Sequence, residues 1–348
     1  MFLLIIISSI LQYPEHTLLG VGIAAIQGAD LIECDVTFTK DRELVCRHDQ
    51  CDLHTTTDVL LRPELAAKCS RDWTGPSPAV APRCCTSDFT LAEIKTLCAK
   101  MDAADGKATT REGYVNGGVA SWRTTLYSRE CERVPTHKEY IETVKDFGAR
   151  YVPELKTPSG VVMPYNASGI IFTQNDYAQK MVDEYIEANI DPSIVFPQSF
   201  LWNDVYYWAS KGIIKNAVAL EGVYEAYSYS REAIMARLKP LRDAGVPILS
   251  PPTHMLAKRA NATAPIELST YASVALELGF KIVTWSFERD GPLQTGGGFY
   301  NRGLFADRDG FNYEFLDFMV KKANITGIFS DWPATVTFYA NCMGIGLY

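Results

Sequence analysis

Short apolar segments alternate with longer amphipathic ones along most of the chain, and charged residues at alternate positions, Glu33/Asp35 and Glu154/Lys156, stand at the ends of two of the short segments. Together with a length of 348 residues, these features predict an α/β protein of the (β/α)8 TIM barrel class. Parallel strands need helical crossovers, and such barrels carry their chemistry at the carboxyl ends of the strands. Phe2–Ile7 reads as the opening strand, within a β-branched run of ten residues that is about half the length of a bilayer span. The run lacks the basic flank and small-residue cleavage site of a signal peptide. His16–Gln27 reads as a helix stopped by Gly28, and Asp30–Val36 as the second strand. Later strand–helix pairs are Arg150–Lys156 with Asn175–Asn189, Ser193–Ser199 with Trp202–Lys211, and Ala217–Leu220 with Arg231–Ala244. Val246–Ser250 with Ile266–Leu278, Lys281–Phe287 with Tyr313–Ala323, and Thr326–Ser330 with a segment from Pro333 complete the count.

Too few residues separate Val36 from Glu43 for a crossover, so Thr39–Glu43 and Leu44–His48 read as a hairpin extending the second strand. Residues 51–134 read as a cysteine-rich insertion within a single barrel domain spanning 1–348. Eight of the nine cysteines fall between Cys34 and Cys131, and none forms the paired C-x2-C spacing of a zinc site. Disulfides in an oxidising compartment follow, with one thiol left over. Sequons at Asn166, Asn261 and Asn324 agree with a secreted or secretory-pathway glycoprotein. A composition of 47% hydrophobic and 21% charged residues excludes a disordered chain, and a net charge of −8 has the wrong sign for a nonspecific nucleic-acid binder. No stable membrane anchor is evident.

Glu33-Cys34-Asp35 places two carboxylates on one strand face, because the side-chain period of a strand is two. Such neighbours repel unless a cation neutralises them, and oxygen ligands suit Mg²⁺ or Ca²⁺. A salt-bridged pair explains that motif alone equally well. Glu154-Leu-Lys156 repeats the spacing on the next barrel strand, adding a third carboxylate and a cation, and favours a metal–phosphate site. His48, ending the hairpin, is a candidate proton donor or acceptor. Trp285, closing the seventh strand, and Asp331, following the eighth, are candidate substrate-binding residues, although aromatics also plug barrel ends.

The order and spacing of Tyr13-Pro-Glu-His-Thr-Leu, Gly28-Ala-Asp-Leu-Ile-Glu-Cys-Asp-Val, Thr39-Lys-Asp, Leu44-Val-Cys-Arg-His-Asp and His54-Thr-Thr-Thr resemble the N-terminal signature of the glycerophosphodiester phosphodiesterases. Glu154-Leu-Lys156, Gln198-Ser-Phe200, Thr284-Trp-Ser286 and Ser330-Asp-Trp-Pro333 extend the resemblance over nearly the whole chain, and the cysteine-rich insertion is most similar to the secreted fungal branch. The resemblance implies a (β/α)8 barrel and divalent-metal-dependent hydrolysis of a glycerophosphodiester to glycerol 3-phosphate and an alcohol. It implies Glu33, Asp35 and Glu154 as metal ligands, His48 as one of two acid/base histidines, and Lys156 as a phosphate contact.

One departure stands out. The family opens its first strand with an H-R-G motif carrying the other catalytic histidine and a phosphate-binding arginine, and the window from Leu4 through Ile7 and beyond contains neither residue type. His16, at the start of a helix, and His54, beyond the hairpin, do not substitute cleanly. A lost upstream segment accounts for both this gap and the odd cysteine. A lineage that has lost catalysis, keeping a barrel that binds metal or phosphodiester, is the alternative. A phospholipase D-type activity is a third reading, without an obvious amphipathic apolar loop to support it.

Overall fold

The computed structural model describes residues 4–7, 11–76, 81–128, 130–167, 169–212 and 214–346. Nine strands carry the fold: β1 (Leu4–Ile7), β2 (Leu31–Phe38), β3 (Leu44–Cys46), β4 (Arg150–Leu155), β5 (Gln198–Ser199), β6 (Val218–Leu220), β7 (Ile248–Ser250), β8 (Lys281–Thr284) and β9 (Gly327–Phe329). Apart from β3, the arm of a hairpin, they follow the strand–helix alternation of the (β/α)8 barrel class that the sequence predicts. The opening strand holds from Leu4 to Ile7, while Met1–Leu3 and Ser8–Ile10 lie outside the described residues. The chain divides into two compact units, one formed by 1–7, 27–31 and 192–348 and the other by 8–26 and 32–191.

In the first unit β1 pairs in parallel with β9, β9 with β8, β8 with β7, β7 with β6, and β6 with β5. Every residue of β6, β7 and β9 is buried, as expected of parallel barrel strands, whose outer face crossover helices cover and whose inner face packs inside the barrel. Two of those helices start where a hydroxyl closes the first turn: Ser230 accepts from the Ala233 N–H and Ser269 from the Ala272 N–H. Gly28 ends the opening helical segment with φ of 93°, and a Cβ there would sit 2.9 Å from Thr337 Oγ1, so both conformation and space demand glycine.

In the second unit β2 pairs antiparallel with β3 in the register Val36↔Cys46, Thr37↔Val45 and Phe38↔Leu44. β4 lies beside β2, and the Lys156 N–H just beyond it donates to Val36 O at 3.1 Å. Helices His137–Asp146 and Gln174–Glu187 begin with reciprocal capping boxes, Thr136 with Glu139 and Thr173 with Asp176. The insertion is pinned by the disulfides Cys51–Cys85, Cys69–Cys84 and Cys98–Cys131, and a fourth, Cys34–Cys46, ties β2 to β3. Cys342 is the leftover thiol. The insertion also has a larger apolar core than its weak periodicity suggests: Leu53, Val59, Leu60, Phe89, Ile94, Leu97 and Tyr114 pack together, all buried. The spacing that joins them comes from cross-links and single helical turns, which leave no periodic trace.

One boundary differs in a way that matters. The helix expected from His16 begins at Leu18, because the Thr17 hydroxyl accepts from the Gly20 N–H at 3.2 Å and caps it. His16 is thereby left outside the helix, at φ of 54°.

Candidate active site

β2 presents Glu33 and Asp35 on one face, and β4 brings Glu154 to them. One carboxylate oxygen from each lies within 4.8 Å of the others. Cys34, between the two β2 acids, points the opposite way and is bonded to Cys46 of β3. All three acids are buried, a costly arrangement for carboxylates without a cation. Lys156 supplies one, its Nζ 2.8 Å from Glu154 Oε1 and 3.8 Å from Asp35 Oδ1. Burial alone would raise the Asp35 carboxyl, but the charges of Lys156, His16 and His48 hold it well below the usual range. Burial pushes Glu154 up to about 8 against the pull of Lys156, with the Asp35 charge adding to the rise. Burial lowers the Lys156 ammonium, but Asp35 and Glu154 outweigh that and hold it above its ordinary value.

The donor set fits a hard divalent cation. Asp35 Oδ1 and Glu154 Oε1 are buried and accept no well-directed hydrogen bond, and three convergent carboxylate oxygens are the ligands such ions take. Among the described residues this is the acidic cluster that could hold a metal ion.

Around the triad stand residues of different standing in the sequence. His48, just past β3, is solvent-exposed while its charge reaches Asp35. The next residue, Asp49, is fixed by the Ser159 hydroxyl, which donates to its two carboxylate oxygens at 2.9 and 2.7 Å, and by the Cys51 N–H at 2.8 Å. This clamps the loop behind His48 to the segment following β4. His16, set aside in the sequence as part of a helix, instead places Nε2 2.8 Å from Asp35 Oδ2. The signal that could have found it is the Thr17 cap, which excludes the preceding residue from the helix. His54 stacks on Tyr114 in the insertion and is not among the groups around the triad.

Trp285 and Asp331 belong to the other unit. The Trp285 indole N–H donates to Ser250 O at 2.9 Å, and its ring meets Phe200, Tyr224 and Tyr300 with centroids 5.5 to 6.2 Å away. Asp331 is buried and pairs with Arg289 at 3.0 Å, and its N–H donates to Glu288 at 3.2 Å. Burial pushes the Glu288 carboxyl up to about 8. Arg302 joins the aromatic group, its guanidinium 4.3 Å over Phe299 and 2.9 Å from His254 Nε2. Nothing in the sequence pattern pointed to Arg302, which lies in an irregular stretch after β8.

Comparison with known proteins agrees with the resemblance of the motifs. An extracellular protein of the fungus Arthroderma benhamiae is 38% identical over 252 residues, covering 70% of this chain and all of the relative. A glycerophosphoryl diester phosphodiesterase described as putative, from Silicibacter pomeroyi, has a similar structure with a TM-score of 0.64 at 16% identity, over 99% of this chain and 95% of that one. A phosphodiesterase of Oleispira antarctica, solved with its product sn-glycerol-3-phosphate, aligns with a TM-score of 0.56 at 15% identity, over 98% of this chain and 97% of that one. At such identities the two structures establish the fold. Residues 11–335 match the glycerophosphoryl diester phosphodiesterase family, and over so much of its length the chain belongs to that family.

Proposed function

We propose that the protein hydrolyses glycerophosphodiesters to glycerol 3-phosphate and an alcohol, using a divalent cation, Mg²⁺ or Ca²⁺, held by Glu33, Asp35 and Glu154. The observation that carries this reading is the convergence of three buried carboxylates with Lys156 on adjacent strands in a chain of this family. When bound, the cation supplies Lewis-acid polarisation of a phosphoryl oxygen. Lys156 adds positive charge beside the same carboxylates and is assigned to a phosphate oxygen. His48, exposed where substrate can reach it, gives its proton to the departing alkoxide as water replaces that alkoxide on phosphorus, and the proton that the water sheds restores His48. The phosphorus–oxygen bond to the alcohol breaks, and the glycerol 3-phosphate half keeps the new oxygen. Trp285 and Asp331 are assigned to substrate binding.

We also place the protein outside the cell or in the secretory pathway. Four disulfides and the extracellular relative support this, and no helix among the described residues is long and apolar enough to cross a membrane. The test is direct. Glycerophosphocholine or glycerophosphoglycerol is incubated with the protein and Mg²⁺ or Ca²⁺, and glycerol 3-phosphate is measured enzymatically. Its absence with both substrates and both ions would refute the assignment.

A further inference from the structure

We propose that His16 is a positioning residue that holds the Asp35 carboxylate in its ligating orientation; this rests on the metal reading of the triad. His16 has a φ of 54°, a left-handed conformation that a side chain larger than glycine adopts at a cost. Such a conformation persists where the surroundings over-determine it. Here the determinant is the Thr17 cap on one side and the Asp35 contact on the other. The His16 side chain is 0% exposed and that of Asp35 2%, with Nε2 2.8 Å from Oδ2. Among the described residues Nδ1 has no hydrogen-bond partner, so the contact of Nε2 with Asp35 is what offsets the cost of burying the imidazole. Its close polar neighbour among the described residues is the carboxylate of Asp35.

The arrangement gives two of the three acids their own holder. Lys156 lies 2.8 Å from Glu154 and on the Oδ1 side of Asp35 at 3.8 Å. His16 takes the Oδ2 side and leaves Oδ1, which accepts no hydrogen bond, on the side of Lys156. A partner that orients a metal-ligating side chain typically sets metal affinity by about 10–100-fold.

Two substitutions separate this role from a purely conformational one. Asn tolerates positive φ at least as well as His but is too short to reach Asp35. Gln keeps a donor at nearly the reach of Nε2 and bears the same backbone cost. Metal-free protein is titrated calorimetrically with CaCl₂, MgCl₂ and MnCl₂, and thermal unfolding is followed with and without each ion. The expected result is that His16→Asn weakens the affinity by about 10–100-fold, while His16→Gln stays within about threefold of the parent. In parallel, the metal-induced rise in Tm shrinks for the Asn variant and is kept for the Gln variant. Unaltered affinity in His16→Asn, or a loss confined to His16→Gln, would overturn the positioning role. A parent protein that binds none of the three ions would overturn the metal centre beneath it, an outcome legible without any measurement of hydrolysis.

Discussion

Glu288 offers a quantitative test of the electrostatics in the first unit. Its side chain is half-buried, the carboxylate accepting from the Ser330 hydroxyl and the Asp331 N–H, and desolvation pushes the carboxyl up to about 8 from its usual 4.5. Between those values the folded protein binds a proton that the unfolded chain releases. Stability is therefore greatest below the unfolded value, falls as pH rises toward 8, and levels off above it. Each pH unit in that window is worth about 1.4 kcal/mol, so the contribution lost by pH 9 is on the order of 5 kcal/mol. Glu288→Gln keeps the shape and cannot ionise. Relative to the variant, the parent should therefore lose about 4 kcal/mol of this between pH 5 and pH 9. For 348 residues that corresponds to a differential Tm shift of about 5 °C. Thermal unfolding of both proteins at the two pH values reads it out. A stability difference that is the same at both would show that Glu288 titrates normally and would refute the desolvation argument.

Three other perturbations have defined outcomes. Replacing Cys34 and Cys46 by Ala opens a loop of 12 residues' separation and should cost about 3 kcal/mol by loop entropy, read by urea denaturation, with no change expected if the bond does not form in solution. His48→Ala should lower kcat by about 10²- to 10⁴-fold with metal binding retained, and unaltered turnover would remove His48 from the mechanism. Gly28→Ala, at φ of 93° and 2.9 Å from Thr337 Oγ1, should destabilise by about 1–3 kcal/mol, and an unchanged Tm would contradict the crowding.

The parts of the fold with long-range period were legible in the sequence, because buried parallel strands and capped helices each leave a pattern. E-x-D on β2 and E-x-K on β4 were readable as a cluster for the same reason: period two puts alternate residues on one face, and the βα alternation makes the two strands barrel strands. His16 was misplaced because its apolar followers extend a helical pattern backward, and only the local competition of the Thr17 hydroxyl for the first turn decides where the helix starts. Arg302 and His254 meet through side chains 48 positions apart, a contact no local pattern encodes. The core of the insertion leaves no pattern in the sequence because disulfides, not periodicity, set its geometry.

A cation-dependent phosphodiesterase centre made by Glu33, Asp35 and Glu154 is tested by release of glycerol 3-phosphate from glycerophosphoglycerol by the parent protein and by Asp35→Asn, each with added Ca²⁺ or Mg²⁺ and with EDTA. Release by the parent should stop with EDTA and return with fresh cation, with none above background from Asp35→Asn. Release that survives EDTA, or that Asp35→Asn sustains at the parental rate, would contradict it.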